Sequence, residues 1–271
     1  MKRILITGGT RGIGRVITQH MLESEYEVIV CSRTEQSCDK ARKEFKQWGS
    51  LFSAFQTDVS DHTQVIELVE QFDRIDVLVN NAGIYGPAGS FIDNDICDWM
   101  TTLEVNVMGP LYMCQEVAPL MIKNKFGRII NMSGGGATKP MPNYSAYCAS
   151  KAAIVRFTEV IAEELKEHNI TVNAIAPGFI ATDIHEVTLQ AGPEVVGKFY
   201  EETVERLERT GDDPEPTAKL VEFISNDDCT VTGRLYSALH DPWIHASQNS
   251  DLHPEMYMLR RVDDYFIKVS E

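Results

Sequence analysis

Short apolar runs alternate with longer stretches of helical period along most of this chain, and that alternation constrains the fold more than any other feature. Residues 3–7, 27–31, 51–56, 75–79, 128–132 and 170–176 read as strands: short, rich in Ile and Val, and hydrophobic on both faces. A strand apolar on both faces must be covered on both, which is the condition of a buried parallel strand. Between them, residues 12–24, 35–47, 62–72, 105–123 and 146–167 carry helical patterns. Such repetition predicts an α/β fold, a parallel sheet with helices on both sides. A seventh strand, 234–238, is expected after a helix at 216–224. No repeat or low-complexity linker interrupts the series, so one domain is expected.

Two regions break the alternation. Residues 179–214 form a long insertion between a strand and a helix, with a helical pattern near 193–208. Long excursions of this kind are usually binding loops or lids. Residues 240–271 are a polar tail without a clear period, whose role the sequence leaves open.

Composition narrows the function classes. The 271 residues include 40 Asp+Glu against 25 Lys+Arg, a net charge of −15. Nucleic acid is therefore not expected as a partner, because phosphate neutralisation needs a basic patch. An anionic membrane surface is not expected either. No apolar stretch approaches the ~18–20 residues that span a bilayer. The start, Met1-Lys-Arg-Ile-Leu-Ile-Thr-Gly-Gly, has too short an apolar run for a signal peptide. The six cysteines are scattered and form no Cys-x-x-Cys, so no metal site is expected and a reducing compartment suits them. A cytoplasmic protein is the expectation.

The first strand runs into Thr7-Gly8-Gly9-Thr10-Arg11-Gly12-Ile13-Gly14 and then a helix. Glycines there let the backbone turn tightly and bring N–H groups to a pyrophosphate, and the helix N-terminus favours negative charge. The spacing is G-x-x-x-G-x-G rather than the usual dinucleotide fingerprint. The second strand ends in Val30-Cys31-Ser32-Arg33. An NAD-selective site places an acid there for the ribose 2′-hydroxyl. Here Ser32 and Arg33 stand instead, and Arg11 lies in the glycine loop. Two guanidinium groups converging on one ribose suit a 2′-phosphate, so NADP(H) is expected over NAD(H).

Tyr147 and Lys151 stand four apart, on one face of a helical stretch. A free phenol titrates near pH 10, and an ammonium held beside it favours the phenolate by roughly one to three units. The expectation is a tyrosine acidified by its lysine, able to pass a proton to a carbonyl or take one from an alcohol.

With these residues in order, the chain resembles the short-chain dehydrogenase/reductase family over about residues 3–238. The resemblance rests on Thr7-Gly-Gly-Thr-Arg-Gly-Ile-Gly14, Asp58-Val59, Asn80-Asn-Ala-Gly83, Asn106 in Asn-Val-Met-Gly, Tyr147-x-x-x-Lys151, and Pro177-Gly178 followed by Thr182. It implies a Rossmann-type doubly wound parallel sheet of about seven strands in three α/β/α layers. Residues 1–239 would form a single NAD(P)-binding catalytic domain, and 240–271 an extension. It also implies a homodimer or homotetramer built on the two long helices.

The resemblance implies roles residue by residue. Gly8, Thr10, Arg11, Gly12, Ile13, Gly14, Ser32 and Arg33 would hold the dinucleotide. Asp58 would contact the adenine amino group and Val59 flank the ring, with helix capping by Asp58 or Ser60 as the rival role. Asn80, Ala82 and Gly83 would support the central sheet and pack beneath the cofactor, with a purely architectural role as the rival. Lys151 would also bond the nicotinamide ribose, while Pro177, Gly178, Ile180 and Thr182 line the nicotinamide. Asn106 would bend its helix and relay protons toward Lys151. The family also places a serine thirteen residues before the tyrosine to polarise the substrate oxygen; here Gly134 stands there, and Ser133 precedes it. Either Ser133 fills the role through a shifted loop, which the run Gly134-Gly135-Gly136 permits, or the hydroxyl is missing. The reading takes Ser133.

On the substrate side, Ser133, Gly135, Gly136, Met141, Tyr144, Phe179, Ile184 and His185 are the expected lining. Residues 186–215 carry nine acids against three Lys+Arg, a field that disfavours anionic substrates such as acyl carrier protein. In the tail, His240, Asp241, His245 and His253 match no metal-ligand spacing, and Trp243 is a candidate cover for the active site or a contact to another subunit. The expected function is NADP(H)-dependent interconversion of a secondary alcohol and a ketone, with Tyr147 as acid/base, Lys151 tuning it, Asn106 relaying protons and Ser133 orienting the oxygen. Two alternatives stand beside it: a nucleotide-binding protein of the same fold without turnover, and an enzyme using transient oxidation for epimerisation or dehydration.

Overall fold

In the computed structural model, residues 1–243 and Met258 are described. Seven strands form one parallel sheet: β1 (Arg3–Thr7), β2 (Glu27–Ser32), β3 (Phe52–Gln56), β4 (Val77–Asn80), β5 (Gly127–Met132), β6 (Ile170–Ala176) and β7 (Leu235–Ser237). Their order is β3-β2-β1-β4-β5-β6-β7. The chain winds one way from β1 to β3, then returns to pair β4 with β1, so the winding reverses at the β1/β4 boundary. In open α/β sheets, ligands bind beyond the carboxyl ends of the strands at such a reversal.

Alternation along each strand splits the core into two halves. Ile4, Ile6, Val28, Val30, Val77 and Val79 face one side, while Leu5, Ile29 and Leu78 face the other. The first side is covered by α1 (Gly12–Glu23), α2 (Glu35–Glu44) and α10 (Glu215–Ser225), through Ile17, Met21, Ala41, Leu220 and Ile224. The second is covered by α3 (His62–Val69), α5 (Gly109–Asn124) and α6 (Ser145–Leu165), through Val65, Leu68, Met113, Val117 and Ala162. This is the expected three-layer Rossmann-type arrangement.

Several local expectations change. The helix expected at 105–123 divides into a π-helical turn (Glu104–Met108) and α5, and α4 (Ile96–Leu103), which the sequence reading does not contain, runs directly into them. The helical pattern near 193–208 breaks into α8 (Pro193–Val196) and α9 (Lys198–Glu208) at Gly197, whose φ is +68°. Together with α7 (Glu186–Ala191) these form the excursion between β6 and α10. Neither Asp58 nor Ser60 caps α3. Asp61 does, accepting from the backbone N–H groups of Thr63 and Gln64.

Trp243 is 8% exposed and packs on Phe223 of α10, with its Nε1 donating to the Ala238 carbonyl at 3.1 Å. It belongs to the core on the α1/α10 side and not to the strand-end cleft, which corrects the expectation that it covers the active site. Asp241 accepts from the Ser237 backbone N–H at 2.6 Å. His245 and His253 lie outside the described residues. Among the described residues, no group of three or more His, Cys, Asp or Glu is placed to hold a metal ion. No helix among them is long and apolar enough to cross a membrane.

Candidate active site

The carboxyl ends of the strands open into a cleft of about 590 Å³ at the β1/β4 reversal. Its floor is the turn after β1. Gly8 has φ +66°, where a side chain is strained, and a Cβ on Gly14 would run into the Gly8 carbonyl oxygen. Only glycines let this turn press against the start of α1. Asn81 locks the turn from the neighbouring strand. Its Nδ2 donates to the carbonyls of Thr7 (2.9 Å) and Gly8 (3.3 Å), while Thr7 Oγ1 accepts from the N–H groups of Asn81 and Ala82, both at 3.0 Å. The first turn of α1 has no side-chain cap, so its free N–H groups face the cleft.

Most of the expected dinucleotide residues line this cleft: Gly8, Thr10, Arg11, Gly12, Ile13, Ser32, Arg33, Asp58, Val59, Ala82, Gly83, Lys151, Pro177, Gly178, Ile180 and Thr182. Two do not. Gly14 lies beneath the turn. Asn80 is 2% exposed and donates to Asn131 Oδ1 at 2.8 Å, tying β4 to β5 inside the sheet. Three features suit a phosphate-rich dinucleotide. Thr10 Oγ1 is buried without a hydrogen-bond partner in the glycine cradle, and α1 offers its N-terminus. The Arg33 guanidinium, beside Ser32, has no ion pair among the described residues.

Arg11 departs from expectation. Its Nη1 bonds Asp183 Oδ2 at 3.0 Å, joining the glycine loop to the loop after β6. Arg11 is held by a carboxylate in the chain's own excursion, and Arg33 alone stands free at the end of β2.

At the other end of the cleft stand Tyr147 and Lys151 on α6. Lys151 is 5% exposed and donates from Nζ to the Met132 carbonyl at 2.9 Å, at the end of β5. Burial pulls its pKa down to about 8. Tyr147 is 7% exposed, and its hydroxyl has no hydrogen-bond partner among the described residues. Burial pushes this phenol above its ordinary value, and the Cys148 thiol adds to the shift. The expectation of a phenol acidified by lysine is thus overturned. Nζ lies 5.7 Å from the ring centroid and is engaged with a carbonyl, so desolvation of the phenol outweighs its attraction.

The remaining expected residues divide. Ser133 lines the cleft, and its Oγ is buried without a partner. Gly134 leaves room for the phenol: a Cβ there would overlap the Tyr147 hydroxyl. Asn106 is 1% exposed and does not line the cleft. It sits in the π-helical turn, accepts from the Ile84 N–H (2.9 Å), and donates to the Ile84 carbonyl (2.8 Å) and Ser150 Oγ (3.0 Å). It fixes the chain leaving β4 against α6 and does not touch the cleft.

Ile184 and His185 line the cleft, but Gly135, Gly136, Met141, Tyr144 and Phe179 do not. Tyr144 is fully buried, bonds Thr188 Oγ1 at 2.7 Å and packs edge-on against Phe199, so it clamps the excursion onto α6. Phe179 stacks on His185 from behind. Tyr85, which no motif marks, packs edge-on against Tyr147 with centroids 4.7 Å apart and lines the cleft. Its place two residues after Gly83, in the chain leaving β4, is the signal that points to it.

Comparison with known proteins agrees with this geometry. Residues 2–191 match the family model described as short chain dehydrogenase. A 3-oxoacyl-(acyl-carrier-protein) reductase of Synechocystis sp. is 33% identical over 240 residues, covering 86% of this chain and 93% of the relative. That of Thermotoga maritima is 35% identical over 241 residues, covering 86% and 94%. Among solved structures, actinorhodin polyketide ketoreductase with NADPH superposes with a TM-score of 0.79 at 27% identity, covering 87% of this chain and 95% of that one. NAD+-bound xylitol dehydrogenase gives 0.77 at 29%, covering 87% and 96%.

Proposed function

This chain belongs to the short-chain dehydrogenase family, and from that premise we propose that it reduces a ketone to a secondary alcohol with NADPH. The observation that carries the reading is the Tyr147 side chain in the cleft, one helical turn before Lys151, its hydroxyl without a hydrogen-bond partner among the described residues. A phenol whose pKa is raised keeps its proton across the neutral range, which is the state an acid needs for ketone reduction. The reading takes residues 1–239 as one catalytic domain, with a lid at about 179–214, and assigns no role to 240–271.

The chain's own residues divide the work. The glycine turn, Thr10 and the first turn of α1 would hold the pyrophosphate, and Arg33 with Ser32 would take the 2′-phosphate. Asp58 and Val59 line the cleft and would hold the adenine, although Asp58 Oδ1 already accepts from Ser60. The name of one similar structure, a ketoreductase with NADPH, supports the cofactor, and the names of the 3-oxoacyl reductases support a ketone as the group reduced. When bound, the reduced nicotinamide would supply the hydride that the carbonyl carbon takes up. Ser133 Oγ donates a hydrogen bond to the carbonyl oxygen, and Tyr147 gives that oxygen its proton. Lys151, still mostly protonated at pH 7, steadies the phenolate this leaves. Asn106 is a positioning residue that holds Ile84 and the cleft wall against α6.

The test is a panel of ketones read by the loss of reduced cofactor absorbance, with NADPH and NADH in parallel. The expected result is turnover of at least one ketone with higher kcat/KM for NADPH. Consumption of neither cofactor with any ketone contradicts the reading.

A further inference from the structure

Next to Tyr147 the cleft carries a second polar pair that the proton transfer does not use. Tyr85 is 8% exposed and His185 is 3% exposed, and both line the cleft. His185 Nε2 lies 3.0 Å from the Ile180 carbonyl oxygen. A carbonyl only accepts, so Nε2 carries the hydrogen and Nδ1 presents a lone pair. Burial lowers the His185 pKa, in keeping with a neutral ring. Tyr85 Oη faces that lone pair at 3.5 Å, the outer limit of a hydrogen bond.

Rings hold this pair in place. Phe179 stacks on His185 with centroids 4.0 Å apart, and Tyr85 meets Tyr147 edge-on at 4.7 Å. The result is a fixed donor and a fixed acceptor, loosely joined, beside the phenol. We propose that Tyr85 and His185 form a second substrate anchor, and that it selects an uncharged hydroxy ketone over the plain ketone. The inference rests on the reductase reading above and names its substrate class.

A hydroxyl is the group that completes both partners, accepting from Tyr85 Oη while donating to His185 Nδ1. It replaces one long contact by two ordinary ones in a site that water reaches poorly, where unmade bonds are costly. An anionic substituent is disfavoured by the Nδ1 lone pair and by Glu186, which lines the same cleft.

The experiment compares butanone with acetoin and 4-hydroxybutanone, using the full chain and NADPH. Binding is read separately, as the Tm of the protein with NADP+ and each compound. One hydroxy ketone is expected to exceed butanone in kcat/KM by about tenfold, chiefly through KM, the worth of one net hydrogen bond. Tyr85→Phe keeps the ring against Tyr147 and removes only the hydroxyl, and it is expected to bring that ratio toward one. His185→Phe keeps the stack on Phe179 and is expected to do the same. A larger Tm shift with a hydroxy ketone, abolished by Tyr85→Phe, supports the anchor even if no compound is turned over, and the reductase reading alone then fails. Equal kcat/KM with equal or absent Tm shifts overturns the anchor. So does a hydroxyl preference that survives Tyr85→Phe.

Discussion

The Tyr147 hydroxyl occupies the space into which a side chain on Gly134 would grow. Residue 134 is where the family resemblance calls for a serine, and its backbone is fully extended (φ 176°, ψ 172°), so any residue type fits its conformation. What excludes a side chain is the phenol itself. The hydroxyl that the resemblance calls for is instead available one residue earlier, on Ser133, whose Oγ is buried and unpartnered.

Two substitutions separate these roles. Ser133→Ala is expected to lower kcat by about 10²-fold or more, as the loss of one oxyanion donor does. Gly134→Ser adds a hydroxyl but displaces Tyr147, and is expected to lower kcat on the order of 10²-fold. Steady-state kinetics on one ketone decides. A Ser133→Ala rate within a few-fold of the parent, or a Gly134→Ser variant faster than it, shows that Ser133 is not the donor.

Cofactor choice rests on Arg33, because Arg11 is already paired with Asp183. Arg33→Asp is expected to reverse the preference, cutting kcat/KM for NADPH by at least tenfold while that for NADH holds or rises. Arg11→Ala is expected to cost less, since one of its guanidinium donors is already taken by Asp183. Equal losses in the two variants contradict the assignment.

Burial of Lys151 makes stability depend on pH in a stated direction. Its pKa falls from 10.5 unfolded to about 8 folded. Between those values the unfolded chain binds a proton that the native state has released, so stability rises with pH across that window. Denaturant unfolding of the parent and of Lys151→Met is expected to show the parent gaining, relative to the variant, on the order of a few kcal/mol over the window. The raised Tyr147 pKa acts in the opposite sense above about pH 10, but that phenol is present in both proteins and largely cancels. A pH-independent difference contradicts the burial of a titrating amine.

The strands were legible because each carries its own burial: Ile4, Leu5 and Ile6 turn alternately to two helical layers, so the run is apolar throughout. The glycine turn and the Tyr147–Lys151 spacing were legible because backbone approach and helix period are local. What escaped depends on distant partners. Helix α4 was missed because Ile96 and Met100 point outward, and it is tied down by the Trp99 Nε1 bond to Ser145 Oγ at 3.0 Å. The π-helical turn is held by Asn106 reaching Ile84 across the fold. Tyr144 reads as a pocket residue from its place one turn before Tyr147, yet its hydroxyl is consumed by Thr188, 44 residues on. The phenol's pKa was misjudged for the same reason: spacing places the lysine, but burial by the whole fold sets the sign.

The account turns on Tyr147 as the proton donor to a ketone. The most direct measurement is the rate of NADPH consumption by Tyr147→Phe and by the parent chain, with the same saturating ketone at neutral pH. The account expects kcat to fall by ~10²–10⁴-fold with KM little changed, because only the proton is removed. A variant that keeps kcat within tenfold of the parent contradicts it.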